Sequence, residues 1–405
     1  MTLMKAHPKD YVYGMYYYSS SVKTYCLSFT KSPSTFRVFE VIYPGTKVST
    51  SMARGPVRRD DKYAHIVLCK EGVDTFEAID RVAQEFGIGY DDIGIAGLKD
   101  ANAYTCQLIS VPNSDEILKR LSDVLRIDKI SLYLLRTDDL GVDSRSIMGN
   151  YFELTINCCS GSLKEVDEVL KSLSSDGFLN YYGYQRFGVS RPITHHVGKL
   201  LILREWDNAI RIYLGEPSSY EPKEVQEARR LFLKGDYEGA LSMFPRRYRY
   251  ERLILKALIE GVEGLKAIKK LAKNTICLFI NAYQSYLFNL MINKLVDIYE
   301  DIKKLWRIND LGFVPGYNTP CTSSDEVSKV CKEVINEEGI DLKYFKINEL
   351  RLNITGWFRA LITKPKHLRY SYRKDHLNIS FILERGAYAS MILRELLKTD
   401  PIKFN

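Results

Sequence analysis

Metal-binding patterns are missing from this 405-residue chain. Its 6 histidines and 8 cysteines contain no His-Glu-x-x-His, His-x-His or Cys-x-x-Cys spacing, so no metal site is expected. A Walker phosphate loop is absent as well. The adjacent Cys158 and Cys159 suit neither a zinc ribbon nor an easy disulfide, and reduced thiols are expected throughout. No apolar run is expected to approach the roughly 20 residues that a bilayer span requires. The start, Met1-Thr2-Leu3-Met4-Lys5, lacks the apolar stretch of a signal peptide. These absences point to a cytoplasmic protein with no membrane attachment and no obligate protein partner evident.

Other features are abundant. The chain is 45% hydrophobic and 27% charged, enough for a sizeable core and two domains. Lys+Arg number 58 against 50 Asp+Glu, a net charge of +8. That excess permits a polyanionic partner without demanding one. There are 28 Tyr and 17 Phe. Interleaved with basic residues they suit stacking on unpaired bases, and equally well the filling of a core.

Residues 35–41 alternate like a half-buried strand, and a second strand is expected over 64–69. The loop between them carries Lys47, Arg54, Arg58 and Arg59, and reads either as a solvated tip or as a phosphate-contacting arm. Asp74 and Glu77 form a helix-start signature. Phe76, Ile79, Val82, Ala83 and Phe86 mark one apolar face, and Gly87 is a natural stop. Strands at 93–96, 104–111, 130–136 and 151–157 and helices near 114–124 and 163–174 follow. The order β-α-β-β-α-β predicts an α+β fold with helices on one side of a mixed sheet. Residues 197–300 read as mostly helical, with examples at 222–233, 251–272 and 275–297. Strand character returns at 357–363, 369–372 and 377–383, before a helix opened by Gly386-Ala387-Tyr388. A helical block is thus inserted into a sheet begun before it and finished after it.

Two segments are candidates for chemistry. In Gly97-Leu98-Lys99-Asp100 a carboxylate follows a lysine in a turn between two strands. A neighbouring cation favours the ionised acid, although one such pair taken alone is ordinarily a solvated loop. Residues 180–188, Asn-Tyr-Tyr-Gly-Tyr-Gln-Arg-Phe-Gly, pack polar and aromatic groups that suit the edge and face of a planar base. An amphipathic strand with a glycine turn would read the same way.

With these two segments the chain resembles the TruD family of pseudouridine synthases, in its archaeal and eukaryotic-like branch. Matching segments run in the family's order: TFRVFE (35–40), GNYFELTI (149–156), THHVGKLL (194–201), YERLIL (250–255), QSYLFN (284–289), GWFRAL (356–361) and ILERGAYASMILREL (382–396). The resemblance implies isomerisation of uridine to pseudouridine in tRNA, at the D-arm uridine numbered 13 or at other tRNA sites, without metal or cofactor. It implies the pseudouridine synthase fold with a mixed, largely antiparallel sheet. The catalytic part is expected at 1–190 and 355–405, and a mostly helical TRUD insertion at 191–354 that helps clamp RNA. Asp100 falls on the family's catalytic aspartate, with Lys99 the nearest candidate to keep it ionised. Phe36, Asn180, Tyr182 and Arg186 fall on substrate-binding segments. Tyr182 stands where Phe is common, so its hydroxyl needs a partner. Asn180 reads as a base-edge or loop-orienting amide, and Arg186 as a partner for a phosphate or a carboxylate. Thr35 replaces the family's usual acid before Phe36. A non-catalytic RNA-binding or chaperone protein on the same scaffold is the alternative. A phosphodiesterase using an aspartate base would need a histidine pair or metal carboxylates nearby.

Overall fold

The computed structural model describes residues 3–159, 163–308, 311–322 and 324–403. Met1 and Thr2, part of the start considered above, lie outside them. An 11-stranded sheet organises the chain. Its main path uses β1 (Phe36–Ile42), β2 (Tyr63–Glu71), β3 (Tyr104–Pro112), β4 (Leu125–Ile127), β5 (Ile130–Asp138), β6 (Ile147–Cys158), β7 (Lys366–Arg373) and β8 (His376–Glu384). Their spatial order is β7-β8-β6-β1-β3-β2-β5-β4. On this path only β1 and β3 run parallel. The last two strands close the sheet by pairing β8 along β6, His376 against Asn157 through Glu384 against Gly149.

The strands alternate, and the pairing fixes one inner face. Val38 on β1 lies beside Thr105 on β3, and Gln107 on β3 beside Leu68 on β2, so these four share a side. Helices cover that side. α1 (Thr75–Phe86) and α2 (Asp115–Arg120) pack over Ala64, Ile66, Leu68, Ile109 and Val111. α3 (Leu163–Ser175) and the final α5 (Ala389–Leu397) pack over Phe152, Leu154, Ile156, Ile379 and Phe381. The seam between the two helix pairs crosses the middle of the sheet, over β1 and β3. The opposite face carries Phe39, Val67 and Leu108, covered by Val48 and Met52 from the basic loop. That loop therefore lies on the side away from the seam, with Lys47 bound to Glu153 at 2.7 Å.

Local chemistry explains α1. The Asp74 side chain accepts from the amides of Phe76 and Glu77, and Gly87 ends the helix in the left-handed region at φ +66. Phe76 departs from the expected apolar face. It is 49% exposed, and Thr75 and Ala78 are buried instead. The helix expected over 251–272 is two helices, Arg249–Ile259 and Gly264–Ile268, parted at Gly261 with φ +74.

The helical block centres on α4 (Lys273–Tyr299), 27 residues long and buried nearly all round. Among the described residues it alone is long and apolar enough to cross a membrane, yet 67% of its apolar window is buried inside this protein. It is a core helix. Asn289 and Asn293 on α4 hold the carbonyls of Tyr13 and Gly14, and one hydrophobic core runs from α4 to the sheet. The N-terminal segment thus packs on the helical block.

The cysteines differ from the expectation of free thiols throughout. Cys69 and Cys106 form a disulfide, as do Cys321 and Cys331. The first pair sits at directly facing positions of β2 and β3, a neighbourhood created by strand pairing and invisible in a 37-residue separation.

Candidate active site

The Asp100 turn lies at the seam and is tied down from several sides. The end of β2 supplies Lys70, fully buried, whose ammonium donates to the carbonyls of Asp100 at 2.7 Å and Val73 at 2.7 Å. Burial pushes Lys70 down from 10.5 to about 8. Gly72, at φ +65, then turns the chain into α1. Thr75, in the first turn of α1, accepts from the Lys99 amide at 2.9 Å and donates to the Lys99 carbonyl at 3.1 Å. Asn102 reaches back to the Lys31 carbonyl at 2.7 Å. The turn is therefore rigid at the main chain while its acid is free to face solvent.

The Asp100 carboxylate is 40% exposed, and its Oδ1 accepts from Lys31 Nζ at 2.8 Å. Lys31 is 12% exposed and stands 4.7 Å from the centre of the Phe36 ring. Here the structure departs from the sequence reading. Lys99 does not accompany its neighbour: its ammonium turns to the buried Glu40, 2.6 Å away. The other Glu40 oxygen accepts from the Leu108 amide at 2.8 Å. Both side chains reach the cleft, but Lys99 is held against Glu40 on the sheet while Asp100 faces the open side. A fixed cation does stand beside Asp100, but it comes from 69 residues away in sequence.

A cleft of about 470 Å³ opens in front of the acid. Phe36, Asn150 and Phe152 line it from the sheet, and Gln185, Tyr388 and Ser390 from the other half. Ala389 and Ser390 belong to the first turn of α5, so the start of that helix also faces the cleft. Among the described residues no group of His, Cys, Asp or Glu is arranged to hold a metal ion.

Apart from Gln185, which lines it, the second segment sits behind this cleft. Asn180 is buried, donates to the Ala360 carbonyl at 2.8 Å and accepts from Arg359 Nη2 at 2.8 Å. Both ends of its amide are used within the protein. Tyr182 is buried too. Its hydroxyl accepts from Trp357 Nε1 at 3.1 Å, and Arg359 lies 4.0 Å from its ring centre. Tyr388 meets it edge-on and stands at the cleft instead. Arg186 is half-buried, donates to Ser285 Oγ at 3.0 Å, and has no carboxylate partner among the described residues. Arg394 pairs with Asp10 at 2.9 Å, deep in the core.

The turn and the cleft thus bring Asp100, Lys99 and Phe36 together, while Asn180, Tyr182 and Arg186 do not line the cleft. Sequence reasoning missed Lys31, Lys70, Asn150 and Arg359. Lys70 left a signal, a charge at the end of the apolar run Ile66-Val67-Leu68-Cys69, and Asn150 and Arg359 lie within the matching segments 149–156 and 356–361.

The family model for tRNA pseudouridine synthase D (TruD) matches residues 12–311 and 306–396. The chain belongs to the TruD family. The probable tRNA pseudouridine synthase D of Sulfurisphaera tokodaii is 34% identical over 93% of this chain and 95% of its own length. That of Saccharolobus solfataricus is 33% identical over 85% of this chain and 86% of its own length. A crystal structure of a TruD candidate from Methanosarcina mazei superposes with a TM-score of 0.73, covering 99% of this chain and 100% of that one at 24% identity. The likeness carries the fold, and the mixed, largely antiparallel sheet described above is the TruD sheet.

Proposed function

We propose that this chain isomerises uridine to pseudouridine in tRNA, with Asp100 as the catalytic carboxylate and the uridine at position 13 as its target. The observation that carries the reading is the placement of Asp100. In a TruD chain it is an accessible acid on a main-chain turn fixed by Lys70 and Thr75, with Lys31 as counter-ion. A carboxylate so held is available to attack the sugar or to take a proton from it. The uridine must leave its stack to arrive there, and the cleft offers Phe36, Phe152 and Tyr388 to receive the ring. Residues 191–354, mostly helical, form the insertion that completes the RNA-binding surface between the two catalytic parts, 1–190 and 355–405. Lys99 acts through Glu40, as a support for the turn.

The test uses tRNA carrying tritium at uridine C5, with wild type and Asp100→Asn. Release by wild type, lost in the variant with tRNA binding retained, supports the reading. Release that survives the substitution overturns the role of Asp100. Binding without release in wild type favours the non-catalytic binder.

A further inference from the structure

The sheet side of the cleft holds a polar side chain whose buried oxygen has no partner among the described residues. Asn150 lies on the inner face of β6, directly opposite Glu40 on β1 and Leu383 on β8. Its backbone is fixed on both sides. At Gly149 the Leu383 carbonyl comes so near that any Cβ there would overlap it. Asn150 lines the same cleft as Asp100, Phe36 and Phe152. Its Oδ1 is buried and has no hydrogen-bond partner among the described residues. Glu40, its neighbour across the strands, is already committed to Lys99 and to the Leu108 amide. Several buried polar atoms share this state, but among the described residues lining the cleft the Asn150 Oδ1 is the one in it, and such an atom calls for an explanation such as a role at the site.

We propose that Asn150 is the residue that holds the uracil by its imide edge, accepting from N3–H and donating to a flanking carbonyl. This rests on the uridine-isomerising reading above. A carboxamide presents one acceptor and one donor side whichever way it is turned, and the imide edge presents their complements. The chemistry of the reaction adds a second argument. A half-turn of uracil about its N3–C6 axis exchanges N1 with C5, the two atoms that bond the sugar before and after. N3–H stays on that axis, and O2 and O4 trade places. An amide bound to N3–H and one carbonyl therefore meets the same pattern in both orientations. Asn150 can keep the detached ring in the cleft while its other side changes from N1 to C5.

The experiment compares wild type with Asn150→Ala on tRNA carrying either uridine or N3-methyluridine at the target, under single-turnover conditions with tRNA affinity measured alongside. Asn150→Ala is expected to slow uridine isomerisation about 10- to 100-fold with tRNA affinity unchanged within about twofold, because phosphates supply most of the affinity. N3-methylation should slow wild type by a similar factor, and the two changes together should cost little more than either alone. Losses that multiply in full, or a variant as fast as wild type, overturn the proposal. If Asn150→Ala unfolds, Asn150→Ser carries the same comparison. A wild type inactive on unmodified tRNA defeats the functional reading itself. An active wild type indifferent to Asn150 defeats this inference alone.

Discussion

The two segments that stand out in the sequence, 97–107 and 180–188, end in unlike surroundings. The first keeps its acid 40% exposed, with one direct counter-ion and a fixed main chain. In the second, Tyr181, Tyr184 and Phe187 are fully buried and Tyr182 nearly so, and the Asn180 amide is spent on the protein itself. Tyr184 donates to Asp10 at 2.7 Å and Tyr181 to Asn293 at 2.6 Å, joining the segment to the N-terminus and to α4. One segment presents a reacting group. The other braces the wall behind it, through Arg359, which binds Asn180 and the Gly386 carbonyl before α5. A motif dense in aromatic and amide groups thus builds much of the wall while one of its amides, Gln185, faces the cleft. The same groups satisfy one another when they are buried.

Substitutions can break this comparison, and the largest effect belongs to Asp100. Asp100→Asn should reduce tritium release by about 10²–10⁴-fold or more while thermal unfolding and tRNA binding stay as in wild type. Tyr182→Ala should do the reverse. Loss of a buried aromatic costs about 3–5 kcal/mol of stability, seen as an earlier urea midpoint with any activity loss following the unfolded fraction. A stable Tyr182→Ala protein with slow turnover would return Tyr182 to the substrate side. Tyr182→Phe, which removes only the bond from Trp357, should cost about 0.5–1.5 kcal/mol.

Lys70→Met separates positioning from folding. In the folded chain Lys70 is pushed down to about 8 from 10.5, so the unfolded chain holds the proton over that interval. Stability from this residue is therefore largest above pH 10.5 and is lost as pH falls through 8. The stability of wild type relative to Lys70→Met should rise between pH 8 and 10.5, in urea melts at each pH. At pH 7 the variant should lose about 10-fold or more in turnover because the Asp100 carbonyl loses its donor. The smallest effect is expected from Arg186→Ala, a weakening of tRNA binding by about 1 kcal/mol with a shallower salt dependence.

Local rules read well wherever a few neighbouring residues decide the outcome. The cap of α1 and its stop at Gly87 follow from contacts within four residues. Where alternation and charge had to be carried across the sheet, the sequence was silent. Lys31 meets Asp100 because the segment before β1 passes over the turn before β3, and Lys99 meets Glu40 for the same reason. Phe76 shows the limit of periodicity: a helix face is apolar only where something packs on it.

The sequence by itself determined that this is a TruD chain, with Asp100 on the turn between two strands and a helical block inside an α+β sheet. Ordered motifs and short-range patterns carry that information along the chain. Only the tertiary structure decided which lysine neutralises Asp100, which aromatics face the cleft, and that the Asn150 Oδ1 there has no partner among the described residues. Those outcomes depend on the pairing of strands far apart in sequence, and on which face of each the helices leave uncovered.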